Sequence, residues 1–368
     1  MDTTDPDIYF DSDGNCNHCN RVINSIKAKK WLPNVENEKQ LNLIIDSIRK
    51  NTKHLKYNAV IGLSGGVDSS YLAYYLVKRF GLKLLAIHVD TGWNRDISVS
   101  NIENIVKQLG IDLYTHVVNW EEMKNLQIAF LKSGVPNQDI PQDHAIFAVL
   151  YSEAKKYKIP YTISGFNLAT ESILPHSWGY DAMDAIHIHD IYKRFGTSKL
   201  KDFPFINFWN YEVCLRLGRR IVVSPLNYIA YNKNGAKDLL IKELVWKDYG
   251  DKHFESIWTK YFQSYYLPVK FGYDKRRAHF SSLIMASQMK REAALEKLKS
   301  LSYDPLMINE DKEYIAKKLG LAYEEFIKLE KVPNTPHEKY KSWNSYMNIL
   351  NAFTKTLKIL GFKKQKHF

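Results

Sequence analysis

The 368-residue sequence holds only three cysteines, too few for a disulfide framework. No apolar run approaches the ~20 residues needed to cross a bilayer, so no membrane insertion is expected. The opening MDTTDPDIYFD is acidic and lacks the basic-then-apolar layout of a secretion signal, which makes the cytoplasm the expected location. Internal repeats and low-complexity tracts are also missing. What remains is an aromatic-rich, enzyme-sized globular chain with 24 Tyr, 17 Phe and 8 Trp. Its net charge of +12 favours anionic ligands of any kind without choosing among them. Part of that excess sits at Lys29 and Lys30 and at Lys363, Lys364 and Lys366, readable as solvated ends or as a surface for RNA or a partner.

Hydrophobic periodicity divides the chain into three parts. Residues 1–56 form a preface with a CNHC knuckle and an amphipathic stretch carrying Leu41, Ile44, Ile45 and Ile48 at helical spacing. Residues 57–235 alternate strand-sized apolar runs with helical ones: AVIGL, KLLAIHVD, DLYTHVV, YTISG and RRIVVSPL mark five strands. This alternation predicts an α/β fold with a parallel, doubly wound sheet, whose ligands bind at the carboxyl ends of the strands. Residues 236–368 read as helical, with PNTPHEKY setting off a last helix over 342–360.

Two familiar phosphate-binding signatures are absent. The loop after the first strand, SGGVDSS at 64–70, has no lysine where a Walker A loop requires one, and no GxGxxG occurs. Yet glycines and serines that open a helix present backbone N–H groups to an anion. SGGVDS matches the SGGxDS signature of the PP-loop ATP pyrophosphatases, and the chain resembles that superfamily, with its adenine nucleotide alpha hydrolase-like sheet. The resemblance implies that Ser64, Gly65, Gly66, Ser69 and Ser70 cradle the β- and γ-phosphates of ATP. Asp68 then suits Mg²⁺, and adenylation rather than γ-phosphoryl transfer follows. Asp90 and Gly92 in HVDTGW, and Gly165 and Asn167 in SGFNLATES, fall where the superfamily places loops beside the nucleotide, with Glu171 as a second magnesium carboxylate. A strand-end cap is the alternative for Asp90, and a surface helix position for Glu171.

The stretches MDTTDPDIYFDSDGNCNHC, PQDHAIFAVLY, SGFNLATESILPHSWGYDAMD and GYDKRRAHFSSLI together resemble the N-acetyl sugar amidotransferases of bacterial surface-polysaccharide and nonulosonic-acid pathways. That family implies ATP-dependent conversion of an acetamido group, on a sugar or sugar nucleotide, into an acetamidino group. It also implies ammonia from a separate glutaminase subunit routed through a cyclase-like barrel subunit. No glutaminase nucleophile motif surrounds any cysteine here. The catalytic set is then Asp68, Ser69, Glu171 and Arg276. The substrate set is His176, Trp178, Tyr180 and Asp181 with Lys275 and Arg277, because aromatics stack on sugars or bases and arginines grip phosphates. A buried aromatic cluster and a helix-start salt bridge are the structural alternatives. His187 and His189 read as polar loop histidines rather than ligands. Cys16 and Cys19 supply half of a tetrahedral structural zinc site, with Cys214 the one further thiolate. A tRNA-modifying PP-loop enzyme, thiolating or lysidine-forming, is the competing function, and a nucleotide-binding regulatory protein is the third.

Overall fold

The structure, a computed structural model, describes residues 1–27, 35–250 and 254–359. All five expected strands form: β1 (Ala59–Gly62), β2 (Leu84–Asp90), β3 (Asp112–Val117), β4 (Tyr161–Ile163) and β5 (Ile221–Val223). They build one sheet in the order β3-β2-β1-β4-β5, with every neighbouring pair parallel. Strand order reverses at β1, which pairs β2 on one side and β4 on the other. A crevice at the carboxyl ends of β1 and β4 is the consequence of that reversal.

Side chains alternate across the sheet with period two. Ala59 and Ile61 of β1 face a layer built by α2 (Val35–Thr52), α3 (Val67–Phe80) and α4 (Asp96–Leu109). Val60, Leu85 and Ile87 face the other layer, built by α5 (Trp120–Ser133), α6 (Ile140–Lys156) and α8 (Ala185–Phe195). The short α7 (Leu168–Glu171) follows β4. The edge strand β3 is only partly covered, and Val117 is exposed there.

The helix Lys233–Leu244, which the sequence assigns to the C-terminal part, packs by Ala236, Leu240 and Leu244 into the first layer. Beyond it the helical region forms its own core of Trp258, Tyr261, Phe262, Tyr266 and Phe326. Trp93, from the turn after β2, and Leu131 of α5 enter that core, so the helical region is docked on the sheet. The preface docks through α1 (Asn17–Lys27): its Val22 meets Ile173, Trp178 and Ala278. Lys29, Lys30, Lys363, Lys364 and Lys366 lie outside the described residues. Among the described residues no helix is long and apolar enough to cross a membrane.

Candidate active site

After β1 the chain reverses through Ser64, Gly65 and Gly66 into α3. Gly65 holds φ +76°, and a Cβ there would stand 2.4 Å from the carbonyl oxygen of Ser98. The turn therefore requires glycine on both conformational and steric grounds. Its carbonyl accepts from Trp246 Nε1 at 2.9 Å. Inside the loop, Ser64 Oγ accepts from Gly66 N at 3.2 Å, and Ser69 Oγ donates to the Gly66 carbonyl at 3.3 Å. Val67 N, the first amide of α3, donates to the Tyr249 hydroxyl at 3.3 Å. The loop thus gathers small hydroxyls and main-chain donors at a helix N-terminus, the arrangement that holds phosphate.

Asp68 and Glu171 line one cavity with Ser64, Gly66 and Ser69. Tyr231 donates its hydroxyl to Asp68 Oδ1. Glu171 Oε2 accepts from Asn167 N at 3.4 Å. Two carboxylates beside a phosphate loop fit Mg²⁺, which binds through one or two carboxylates plus substrate phosphates. Gly165 brings the end of β4 against the loop: a Cβ there would sit 3.7 Å from Ser69 N and 3.8 Å from Asp68 Cβ. Ser70 is buried behind the loop, off the cavity.

Two predicted nucleotide contacts turn away from the cavity. The Asp90 carboxylate accepts from Gly92 N at 2.8 Å and Asn94 Nδ2 at 3.1 Å, shaping the turn after β2. Asn167 is buried and caps α7, its Oδ1 accepting from Thr170 N at 3.0 Å. His88, Thr91 and Asn94 face the cavity from β2 and its turn instead. His88 Nδ1 lies 3.1 Å from the Leu63 carbonyl, which makes it the donor, and burial lowers the pKa of the ring.

The cavity encloses about 1290 Å³, more than one drug-sized ligand occupies. His176, Tyr180, Asp181 and Lys275 line it. Tyr180 is held by a 2.8 Å bond to Asp184 and stacks on His337 at 4.8 Å. Burial raises the Asp181 carboxyl. Trp178 does not reach the cavity: it is fully buried and stacks on Tyr273 at 5.3 Å. Arg276 and Arg277 also turn elsewhere. Arg276 clasps Asp274 and donates to the carbonyl of Ser300, while Arg277 pairs with Asp2. The Arg276–Asp274 pair is the helix-start salt bridge that a basic residue beside an aspartate readily forms, whereas the Arg277–Asp2 pair ties that helix to the N-terminal segment.

His187 and His189 are on α8, not in a loop. His187 is buried, its pKa lowered to about 4 by desolvation, with Nε2 3.0 Å from His337 Nδ1; His189 stacks on Phe205. The expected zinc site does not assemble. Among the described residues no group of three or more His, Cys, Asp or Glu side chains converges on a metal position. Burial and the neighbouring Cys16 push the Cys19 thiol up to about 11. His18 is engaged by Asp5 at 2.6 Å, and Cys214 starts a separate short helix, Cys214–Arg216.

Sequence reasoning missed Asp139 and Asp143, which line the cavity from the start of α6 with Gln142. Asp139 is buried and accepts from Gln142 Nε2 at 3.0 Å, Thr259 Oγ1 at 3.3 Å and Gln263 Nε2 at 3.3 Å. The available signal was the four-residue spacing of two aspartates in DIPQD, at the start of a helix.

Residues 40–198 match the NAD synthase family model, and residues 255–356 match the model described as LPS biosynthesis protein WbpG-like, C-terminal domain. A glutamine-hydrolyzing GMP synthase of Elusimicrobium minutum is 33% identical over 140 residues, 38% of this chain and 25% of that protein. A tRNA(Ile)-lysidine synthase of Chlamydia muridarum is 45% identical over 58 residues, 16% of each chain. The matched stretches thus span a quarter or less of these relatives. An NH3-dependent NAD synthetase from Campylobacter jejuni, solved with nitrate ion, shares 14% identity at a TM-score of 0.33, over 78% of this chain and 97% of its own.

Proposed function

We propose, from the premise that the chain joins a PP-loop domain of the NAD synthase type to a WbpG-like C-terminal domain, that it is an ATP-dependent N-acetyl sugar amidotransferase. It adenylates the acetamido carbonyl oxygen and replaces that oxygen with ammonia, giving an acetamidino sugar, AMP and pyrophosphate. One observation carries this reading: the loop and the WbpG-like region, through Thr259, Gln263 and Lys275, line the same cavity.

Each group has a task in this chemistry. The amides and hydroxyls of Ser64, Gly66 and Ser69 bind the departing pyrophosphate. Asp68 and Glu171 would hold Mg²⁺, which when bound neutralises charge developing on the phosphates. An amide is a weak electrophile, and O-adenylylation gives its carbon a leaving group. His176, Tyr180 and Asp181 orient the sugar by stacking and hydrogen bonds. Ammonia comes from a separate glutaminase subunit through a cyclase-like barrel subunit, in the cytoplasm where ATP and sugar nucleotides are available.

The test supplies the purified protein with ATP, MgCl2, ammonium chloride and a panel of N-acetyl sugars, free and linked to UDP or CMP. AMP and pyrophosphate are expected only with a matching sugar, and ammonium chloride replaces the partner subunits. AMP release driven by tRNA transcripts, with none from any sugar, overturns the reading in favour of a tRNA-modifying enzyme.

A further inference from the structure

Two carboxylates that line the cavity are given no task by the reading above. Asp139, the N-cap residue of α6, and Asp143 in its first turn stand four residues apart, a spacing that sets both side chains on one side of the helix start. Asp139 is saturated by Gln142, Thr259 and Gln263. Asp143 differs. It lines the cavity and, among the described residues, its carboxylate takes no hydrogen bond. The charges that act on it are Asp139 on its own helix and Lys275 from the WbpG-like region. With both aspartates ionised and Lys275 protonated, this corner carries one negative charge in excess. A cationic nitrogen would neutralise it. A staple between two domains needs Asp139 and its three donors but has no use for a second carboxylate left open to the cavity.

We propose that Asp143, set beside Asp139 and Lys275, is the general base that accepts the proton from the nitrogen added to the adenylylated carbonyl. The inference rests on the amidotransferase reading above. Attack by the amide oxygen on the α-phosphorus expels pyrophosphate and leaves an imidate that keeps its N–H proton. Ammonia then forms a C–N bond to the imidate carbon, and the positive charge moves to the added nitrogen. That nitrogen gives one proton to the Asp143 carboxylate. The C–O bond breaks with its electron pair leaving on AMP, and the product is an amidinium beside a neutral Asp143. Burial and the Asp139 charge push the Asp143 carboxyl up to about 7, where it exchanges protons at neutral pH.

The experiment compares wild type, Asp143→Asn and Asp143→Glu in two assays: sugar-dependent exchange of labelled pyrophosphate into ATP, and amidine formed from ammonium chloride. The ratio of amidine to exchange is expected to fall on the order of 100-fold or more in Asp143→Asn, the usual size of a general-base contribution, and to recover in part in Asp143→Glu. Hydroxylamine as nucleophile should narrow the deficit, because its adduct nitrogen is more acidic and needs less help from a base. A ratio within roughly 3-fold of wild type, or a deficit equal for both nucleophiles, overturns the assignment, since general-base loss is far larger. A wild-type protein with no sugar-dependent exchange overturns the amidotransferase reading, and the base with it. A wild type that exchanges and forms amidine isolates the failure to Asp143.

Discussion

The hydroxyl of Tyr231 is bonded to the Asp68 carboxylate, tying the segment after β5 to the first turn of α3. Tyr231 is buried, and burial together with the Asp68 charge raises its pKa far above the ordinary value, so it remains a donor. Gln288 Nε2 donates to the Tyr231 carbonyl at 2.8 Å, which extends the tie to the helical region. On the proposed function, Asp68→Ala should cut pyrophosphate exchange by a factor on the order of 100 or more, because it removes a carboxylate that would hold the metal beside the phosphates. Tyr231→Phe keeps the ring but releases the carboxylate, and a smaller loss of roughly 10-fold, about 1.4 kcal/mol, is expected. Steady-state exchange assays at saturating ATP read both.

The loop backbone makes its own prediction. Gly65→Ala places a methyl 2.4 Å from the Ser98 carbonyl at a φ of +76°. Strain of that kind costs about 1 to 3 kcal/mol, so Tm should drop and ATP affinity should fall with it. Gly81→Ala is the control. Its φ is +60° but nothing lies within 4 Å of the added carbon, so Tm drops while ATP affinity holds.

Lys275 and Arg276 are adjacent in sequence and separate in consequence. Lys275 faces the cavity, whereas Arg276 binds Asp274 and the carbonyl of Ser300. Arg276→Ala is expected to lower Tm with little change in kcat at permissive temperature. Lys275→Ala should lower amidine formation through the loss of charge beside Asp139 and Asp143. Thermal unfolding and kinetics on the same preparations separate the two.

Asp143 gives a pH signature in activity and stability alike. Its carboxyl is pushed up to about 7 by burial and by Asp139, whose own carboxyl burial also raises. At constant free ammonia, amidine formation should fall as pH drops below about 7 and the base is protonated. For stability the raised value favours the folded state below the ordinary aspartate pKa of about 3.9, and that contribution is lost as pH rises through about 7. Asp143→Asn cannot ionise. Its Tm relative to wild type should therefore increase from pH 5 to pH 8 in a buffer-matched scan.

Much of this architecture is legible in local pattern. AVIGL, KLLAIHVD, DLYTHVV, YTISG and RRIVVSPL each form the expected strand: the apolar runs of β1, β2 and β4 suit the covered centre of the sheet, and the more polar DLYTHVV suits its partly covered edge. The loop is legible for a similar reason, since SGGVDS dictates its own turn. Elsewhere the residue type was informative and its direction was not. Trp178, Asn167 and Asp90 looked like ligand contacts, yet packing on Tyr273, capping of α7 and closure of the β2 turn claim them. A hydrogen bond satisfied within two or three residues leaves no mark in composition that separates it from one offered to substrate.

The amino-acid order by itself determined the alternating α/β pattern, the glycine turn at Gly65 and the place of Asp68 at the start of α3, all consequences of contacts within a few residues. Only the tertiary structure decided which charges meet. Asp139 and Asp143 come from the start of α6 and Thr259, Gln263 and Lys275 from the helical region, and chain reversal at the β1 switch point with docking of the helical core on Trp93 gathers them around one cavity, while Tyr231 from beyond β5 reaches Asp68 from behind. Burial in that shared space is what moves the Asp143 carboxyl toward neutrality, and burial is a property of the packed chain that no short stretch of sequence carries.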